Sequence, residues 1–218
     1  MALFRNDIKQ LMHRPESLAA SILYGLMLLV LFQFAMPRSV ARSIPVGSAA
    51  LWLSIILSGI LGLPRLQHHP DALNLLPQLF TANLTPTSYF WEKVMAGYLV
   101  LLVNAVILYP LTALLFRFTV QQELIRGFAL YVVGLGGISV IMTICASLTA
   151  GRETWLFPLL VFPLLLPIVL SGTKLVTGAV SVRVEFPWAW LHVMGSYIVL
   201  ISLGSWFLSE FLWEELPF

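Results

Sequence analysis

The sequence predicts an all-α membrane protein with six transmembrane helices and an N-terminal interfacial helix. Three observations carry that prediction. Of 218 residues, 59% are apolar and only 10% are charged, against about 25% charged in an ordinary soluble domain. Mean hydropathy is +0.92. The apolar residues gather into six runs, at about 18–36, 45–63, 94–116, 127–149, 155–173 and 190–209. Each run is long enough to cross about 30 Å of hydrocarbon as a helix. No Lys, Arg, Asp or Glu sits well inside any of them. A soluble globular domain, a disordered chain and a disulfide scaffold are thereby excluded, and residues 1–218 read as a single polytopic membrane domain in contact with lipid.

Residues 1–17 come first. Phe4, Ile8, Leu11 and Met12 recur at helical spacing, with Arg5, Lys9 and Arg14 off that face. That pattern suits a helix lying in the membrane interface. The run at 18–36 is longer than the apolar core of a signal peptide and ends in Ala35-Met36-Pro37-Arg38 without a small-residue cleavage site, so it reads as an uncleaved first span.

After the second span, the segment from Pro64 to Lys93 is the longest linker. Leu73, Leu76, Leu79 and Phe80 could form an apolar stripe, but Pro77 interrupts it. Two short amphipathic pieces result, with Thr85-Pro86 as cap and first residue of the lead-in to the third span. Such a linker suits either a docking surface for a partner or an ordinary interfacial loop.

Asn104 is the main polar group inside the third span. Gly134, Gly136, Gly137 and Gly151 lie in or beside the fourth, where small residues permit close helix approach. Pro158, Pro163 and Pro167 shape the fifth, since proline kinks a membrane helix. Around the sixth, Trp188, Trp190, Trp206 and Trp213 read as interfacial tryptophans. Cys145 is the single cysteine, which excludes an intrachain disulfide and reads as a small buried residue.

Little reactive chemistry is present. The spans lack the ionisable groups of a proton relay, which counts against an ion-driven carrier. H-E-x-x-H and G-x-S-x-G are absent, so no catalytic residue and no metal ligand is assigned. His68 and His69 read as a solvated loop pair, and His192 has no evident serine partner. Gly172-Thr173-Lys174 lacks the upstream glycine of a phosphate loop. The net charge of +2 without a basic run excludes nucleic acid as a partner. Basic residues divide evenly between the two sets of loops, so charge alone gives no orientation.

Several short stretches resemble the haem exporter protein B family, a cytochrome c maturation permease of the ABC-2-like type. They are Arg65-Leu66, Leu76, Gln78-Leu79 and Lys93-Val94-Met95-Ala96, then Ile107-Leu108 and Pro110-Leu111. Leu148-Thr149-Ala150-Gly151 and the stretch Leu159 to Pro167 complete the set. Their order and spacing match over nearly the whole chain. The family often carries D-G-x-L-E-x-L in the linker, where this chain reads Leu73-Asn74-Leu75-Leu76-Pro77-Gln78-Leu79. The Asp, Gly and Glu are replaced in the segment that the resemblance assigns to ATPase contact.

The resemblance implies an ABC-2-type permease in the bacterial inner membrane, with its N-terminus and the 64–93 linker in the cytoplasm. It implies a separate cytoplasmic ABC ATPase that supplies ATP hydrolysis, a haem-handling membrane protein, a small membrane subunit and a periplasmic haem chaperone. Haem would be cargo of the complex, with no cofactor bound directly by this chain. Arg65, Leu76, Gln78, Leu79 and Lys93 are the expected coupling residues. Two other readings remain open at this level: an ABC-2-type exporter subunit for a lipid, polysaccharide or drug, and a non-transporting assembly scaffold.

Overall fold

A computed structural model of the chain describes residues 15–37, 43–67, 86–116, 121–149, 156–180 and 186–214. Each segment is one long helix: α1 Pro15–Ala35, α2 Ile44–Gln67, α3 Pro86–Leu115, α4 Gln121–Leu148, α5 Leu156–Val180 and α6 Trp188–Glu214. All six are long and apolar enough to cross a membrane, and the described residues contain no strand. The expected N-terminal interfacial helix lies outside the described residues, except that Pro15–Ser17 already belong to α1. Pro15 stands at the first helical position, where a missing N–H costs nothing. Pro86 opens α3 in the same way, as its sequence context suggests.

The helices outrun the apolar runs that announce them. The 30 residues of α3 make a rod of about 45 Å, which spans the headgroup layers as well as the hydrocarbon. Backbone hydrogen bonding continues through polar flanks, whereas hydropathy marks only the apolar length. Helix α5 runs past its apolar stretch at the C-terminal end. It continues through Lys174 to Val180, placing an expected loop lysine on a helix with its side chain exposed. A lysine stem can lie along the helix and carry its ammonium toward the interface.

Helices α2 and α4 form the centre. In the apolar part of α4, 61% of residues are buried, against 11% in α6. Helix α1 packs on α2 and α3, α5 on α4 and α2, and α6 on α5 and α4. The centre is closed by Trp52, Tyr131, Leu101, Leu135 and Ile138, all fully buried. The outward side chains, among them Leu23, Met27, Leu166 and Phe207, are apolar as lipid contact requires.

One polar knot crosses the apolar interior. Asn104 Nδ2 of α3 donates to Ser21 Oγ of α1 at 3.0 Å and to the Val100 carbonyl at 3.1 Å. Ser21 Oγ in turn reaches the Ser58 carbonyl of α2 at 3.3 Å. Three helices are thereby joined by one amide and one hydroxyl. Between transmembrane helices such a bond contributes about 0.6–2 kcal/mol. Asn104→Leu keeps the volume and removes the knot. It is expected to lower the unfolding free energy of the detergent-solubilised protein by about 1 kcal/mol, read as a lower thermal midpoint, whereas Ser196→Ala on the exposed face of α6 leaves the midpoint unchanged.

Candidate functional site

Helix α2 ends at Gln67 and α3 begins at Pro86, so the intervening linker joins two adjacent, antiparallel helices at one end of the bundle, the linker face. Arg65 lies in the last turn of α2 and Lys93 in the third turn of α3. Both therefore stand near that face, on the two helices that flank the linker. Lys93 is partly buried, and its Nζ lies 5.8 Å from the centroid of the Tyr89 ring, within the range of a cation–π contact. Leu76, Gln78 and Leu79 lie outside the described residues.

The three prolines of α5 have unequal effects. Pro158 sits in the first turn, where no intrahelical N–H is needed. Pro163 and Pro167 lie inside the helix. Each removes one i→i−4 hydrogen bond, leaving the Leu159 and Pro163 carbonyls without their usual donors. Side chains gather at this weakened stretch. Tyr197 of α6 donates its hydroxyl to the Leu164 carbonyl at 2.7 Å. Ser171 Oγ points to the Pro167 and Ile168 carbonyls at 2.5 and 3.2 Å. Pro110 lies inside α3 as a further internal proline. It is legible in the apolar run as a proline, but nothing local distinguishes a kink from the helix end it could equally mark.

Of the four glycines expected to allow close approach, Gly134 and Gly137 do so. A Cβ at Gly134 would run into the Trp52 ring and one at Gly137 into Ile198 and Ile168. Gly136 meets nothing within 4 Å, because it turns to another face of α4. Gly151 lies outside the described residues. Cys145 is fully buried.

Among the described residues no group of three His, Cys, Asp or Glu side chains converges. His192 is exposed on α6, and Ser196, one turn away, donates to the Val193 carbonyl at 3.1 Å. Trp188 and Trp190 near one end of α6 and Trp206 toward the other are exposed, the placement of interfacial tryptophans. What the geometry offers is mechanical: a linker fixed to α2 and α3 at one end, and a proline-weakened α5 held by α6.

The family model described as CcmB protein matches residues 1–212. The chain belongs to the CcmB family. A similar curated protein is "Heme exporter protein B" of Rhodobacter capsulatus, 28% identical over 211 residues, covering 94% of this chain and 95% of that one. The family is the one that the linker, third-span and fifth-span residues suggest.

The Tyr197 contact makes a prediction about α5. Tyr197→Phe deletes the hydroxyl that ties α6 to the Leu164 carbonyl, so amide hydrogen exchange across residues 164–171 should quicken by about fivefold, the equivalent of about 1 kcal/mol. Pro167→Ala restores a donor for the Pro163 carbonyl and should slow exchange in the same stretch. Peptide-level mass spectrometry reads both, and equal rates in the two variants would show that neither the Tyr197 bond nor the Pro167 break governs the opening of α5.

Proposed function

We propose that this CcmB-family chain is the permease subunit of an ABC-transporter-type complex serving c-type cytochrome biogenesis. The observation that carries this reading is family membership over nearly the whole chain, joined to a relative named as a haem exporter and a six-helix bundle without assembled catalytic residues among those described. ATP hydrolysis belongs to a separate cytoplasmic ABC ATPase. The cargo side involves haem, either exported or released with a haem-loaded periplasmic chaperone. A haem-handling membrane protein and a small membrane subunit complete the assembly. The chain resides in the bacterial inner membrane with its N-terminus in the cytoplasm.

The mechanism proposed with this reading is mechanical. The ATPase docks on the linker face and engages Arg65, Leu76, Gln78, Leu79 and Lys93. Closure of the ATPase on ATP displaces the linker, and the ends of α2 and α3 move with it. A membrane bundle transmits such a displacement as a shift between two packed arrangements rather than as smooth bending. ATP then biases the population between the two states, and the far side of the bundle alternates with it.

Deleting the gene should abolish holo-cytochrome c assembly, with haem added to the medium failing to restore it if the periplasmic chaperone must be released by the complex. Reversing charge at both Arg65 and Lys93 should cut ATPase association and holo-cytochrome c by about tenfold, since about 1.4 kcal/mol of contact free energy is enough for that factor. Unchanged association and assembly in the double variant would remove the coupling assignment. Full assembly in the deletion strain would remove the functional reading itself.

A further inference from the structure

The six helices divide into two sets of three. Helices α1, α2 and α3 are tied by the Asn104–Ser21–Ser58 knot. Helices α4, α5 and α6 are tied by extensive packing, by the Tyr197–Leu164 bond and by Ile198 of α6 seated against Gly137. The linker joins α2 to α3 and so belongs wholly to the first set. A displacement delivered there reaches the second set across a broad seam: α3 meets α4 by close packing and by the Ser139 Oγ–Val94 carbonyl and Tyr98 hydroxyl–Val132 carbonyl bonds, at 2.7 and 3.4 Å, and α2 meets α4 and α5.

On the α2 side of that seam the dominant feature is one side chain. Trp52 is fully buried. Its ring lies in a notch with Gly134 of α4 on one side and Gly172 of α5 on another. A Cβ at Gly134 would overlap the ring edge, and one at Gly172 would lie 2.6 Å from Cζ2 and 2.8 Å from Cε2. Tyr131 of α4 packs on the same ring at 4.5 Å between centroids. Its hydroxyl meets Ser48 Oγ at 2.8 Å and the Ser48 carbonyl at 3.1 Å, one turn back along α2. The Trp52 indole Nε1 has no hydrogen-bond partner among the described residues, although buried indoles usually find one. The position is therefore held by shape and not by polar pairing. Gly172 lies five residues beyond Pro167, so the ring bears on α5 just past its proline break.

We propose that Trp52, seated between Gly134 and Gly172, is the positioning residue that passes a displacement of α2 at the linker face to α4 and to the part of α5 beyond Pro167. This rests on the ATPase-coupled permease reading above and adds the internal contact through which coupling runs. A large rigid ring between two glycine backbones has almost no compressible side-chain volume around it. Relative movement of α2 therefore either drags α5 or expels the ring, and close-packed interiors transmit strain in this way. The ring bears on α5 just beyond its two internal prolines, so the missing hydrogen bonds at the Leu159 and Pro163 carbonyls let this end of the helix move relative to its first turns.

The test uses the full chain in its complex with the ATPase, in a Cys145→Ala background. Spin labels are placed at the exposed positions Leu114 on α3 and Lys174 on α5, and their separation is measured with and without a non-hydrolysable ATP analogue. The parent complex should change by about 2 Å or more, the scale of helix shifts in switching bundles. Trp52→Leu should lose most of that change and most holo-cytochrome c, while ATPase association stays intact. Gly172→Ala should do the same, because its methyl group fills the notch. Combining Gly172→Ala with Trp52→Phe, whose smaller ring leaves room for the methyl group, should restore both the distance change and cytochrome assembly. A purely structural role predicts additive losses in the pair and a fall in ATPase association for each single variant. A distance change that persists in Trp52→Leu, or a double variant no better than either single one, overturns the role of Trp52 alone. No nucleotide response in the parent complex overturns the permease reading and this role with it.

Discussion

The whole arrangement depends on what hydrocarbon denies a polypeptide. Backbone groups cannot turn to water, so each must be paired within the protein. Apolar side chains also gain little by leaving lipid for one another, so helices adhere through close packing and a few polar bonds. The first condition makes the described segments six long helices. The second makes the bundle sensitive to single small or polar residues: Gly134 and Gly172 where a ring must enter, and Asn104 where three helices must be tied. Pro163 and Pro167 act against the first condition, and Tyr197 and Ser171 gather at the carbonyls around them.

The same conditions explain why the molecule reads as a transmission body. Among the described residues no cluster of three metal-binding side chains is found. The specific interactions that do exist join helices to helices. Some tie helices within α1–α3 or within α4–α6, and others cross between these sets, where the rings of Trp52, Tyr131 and Tyr109 pack together and Tyr131 and Ser139 bond Ser48 and the Val94 carbonyl. The linker that carries the expected coupling residues belongs to one set, and the proline-weakened helix to the other. An ATPase pressing on the first would find its effect expressed in the second.

Much of this was legible from residue order. Six apolar runs are six helices, because burying backbone in lipid admits no alternative for them. Pro86 marks a helix start by the same logic that lets a proline open a helix, whereas Pro15, expected in an interfacial segment, opens α1. The ends were less legible. Lys174 looks like a loop residue by hydropathy, yet a lysine can remain helical and snorkel, so α5 runs on to Val180. Asn104 stands out as the polar residue of its span, but Ser21 and Ser58 do not, since serines in membrane helices commonly bond their own backbone. Trp52 gave no sign at all. In Ala50-Leu51-Trp52-Leu53 it is one more apolar residue, and its meaning comes from Gly134 and Gly172, 82 and 120 positions later in the sequence. Only the three-dimensional fold brings them together.

The central claim is that this chain is a permease body whose energy comes from another protein. The most direct measurement is affinity purification of the tagged chain from native membranes in mild detergent, with ATP hydrolysis assayed on the purified material. The account predicts a co-purifying ABC ATPase in fixed proportion to the chain, with hydrolysis that disappears when that ATPase is stripped away. A preparation that still supports cytochrome c assembly in the cell, yet carries no ATP-hydrolysing partner under conditions that preserve its other subunits, would contradict it.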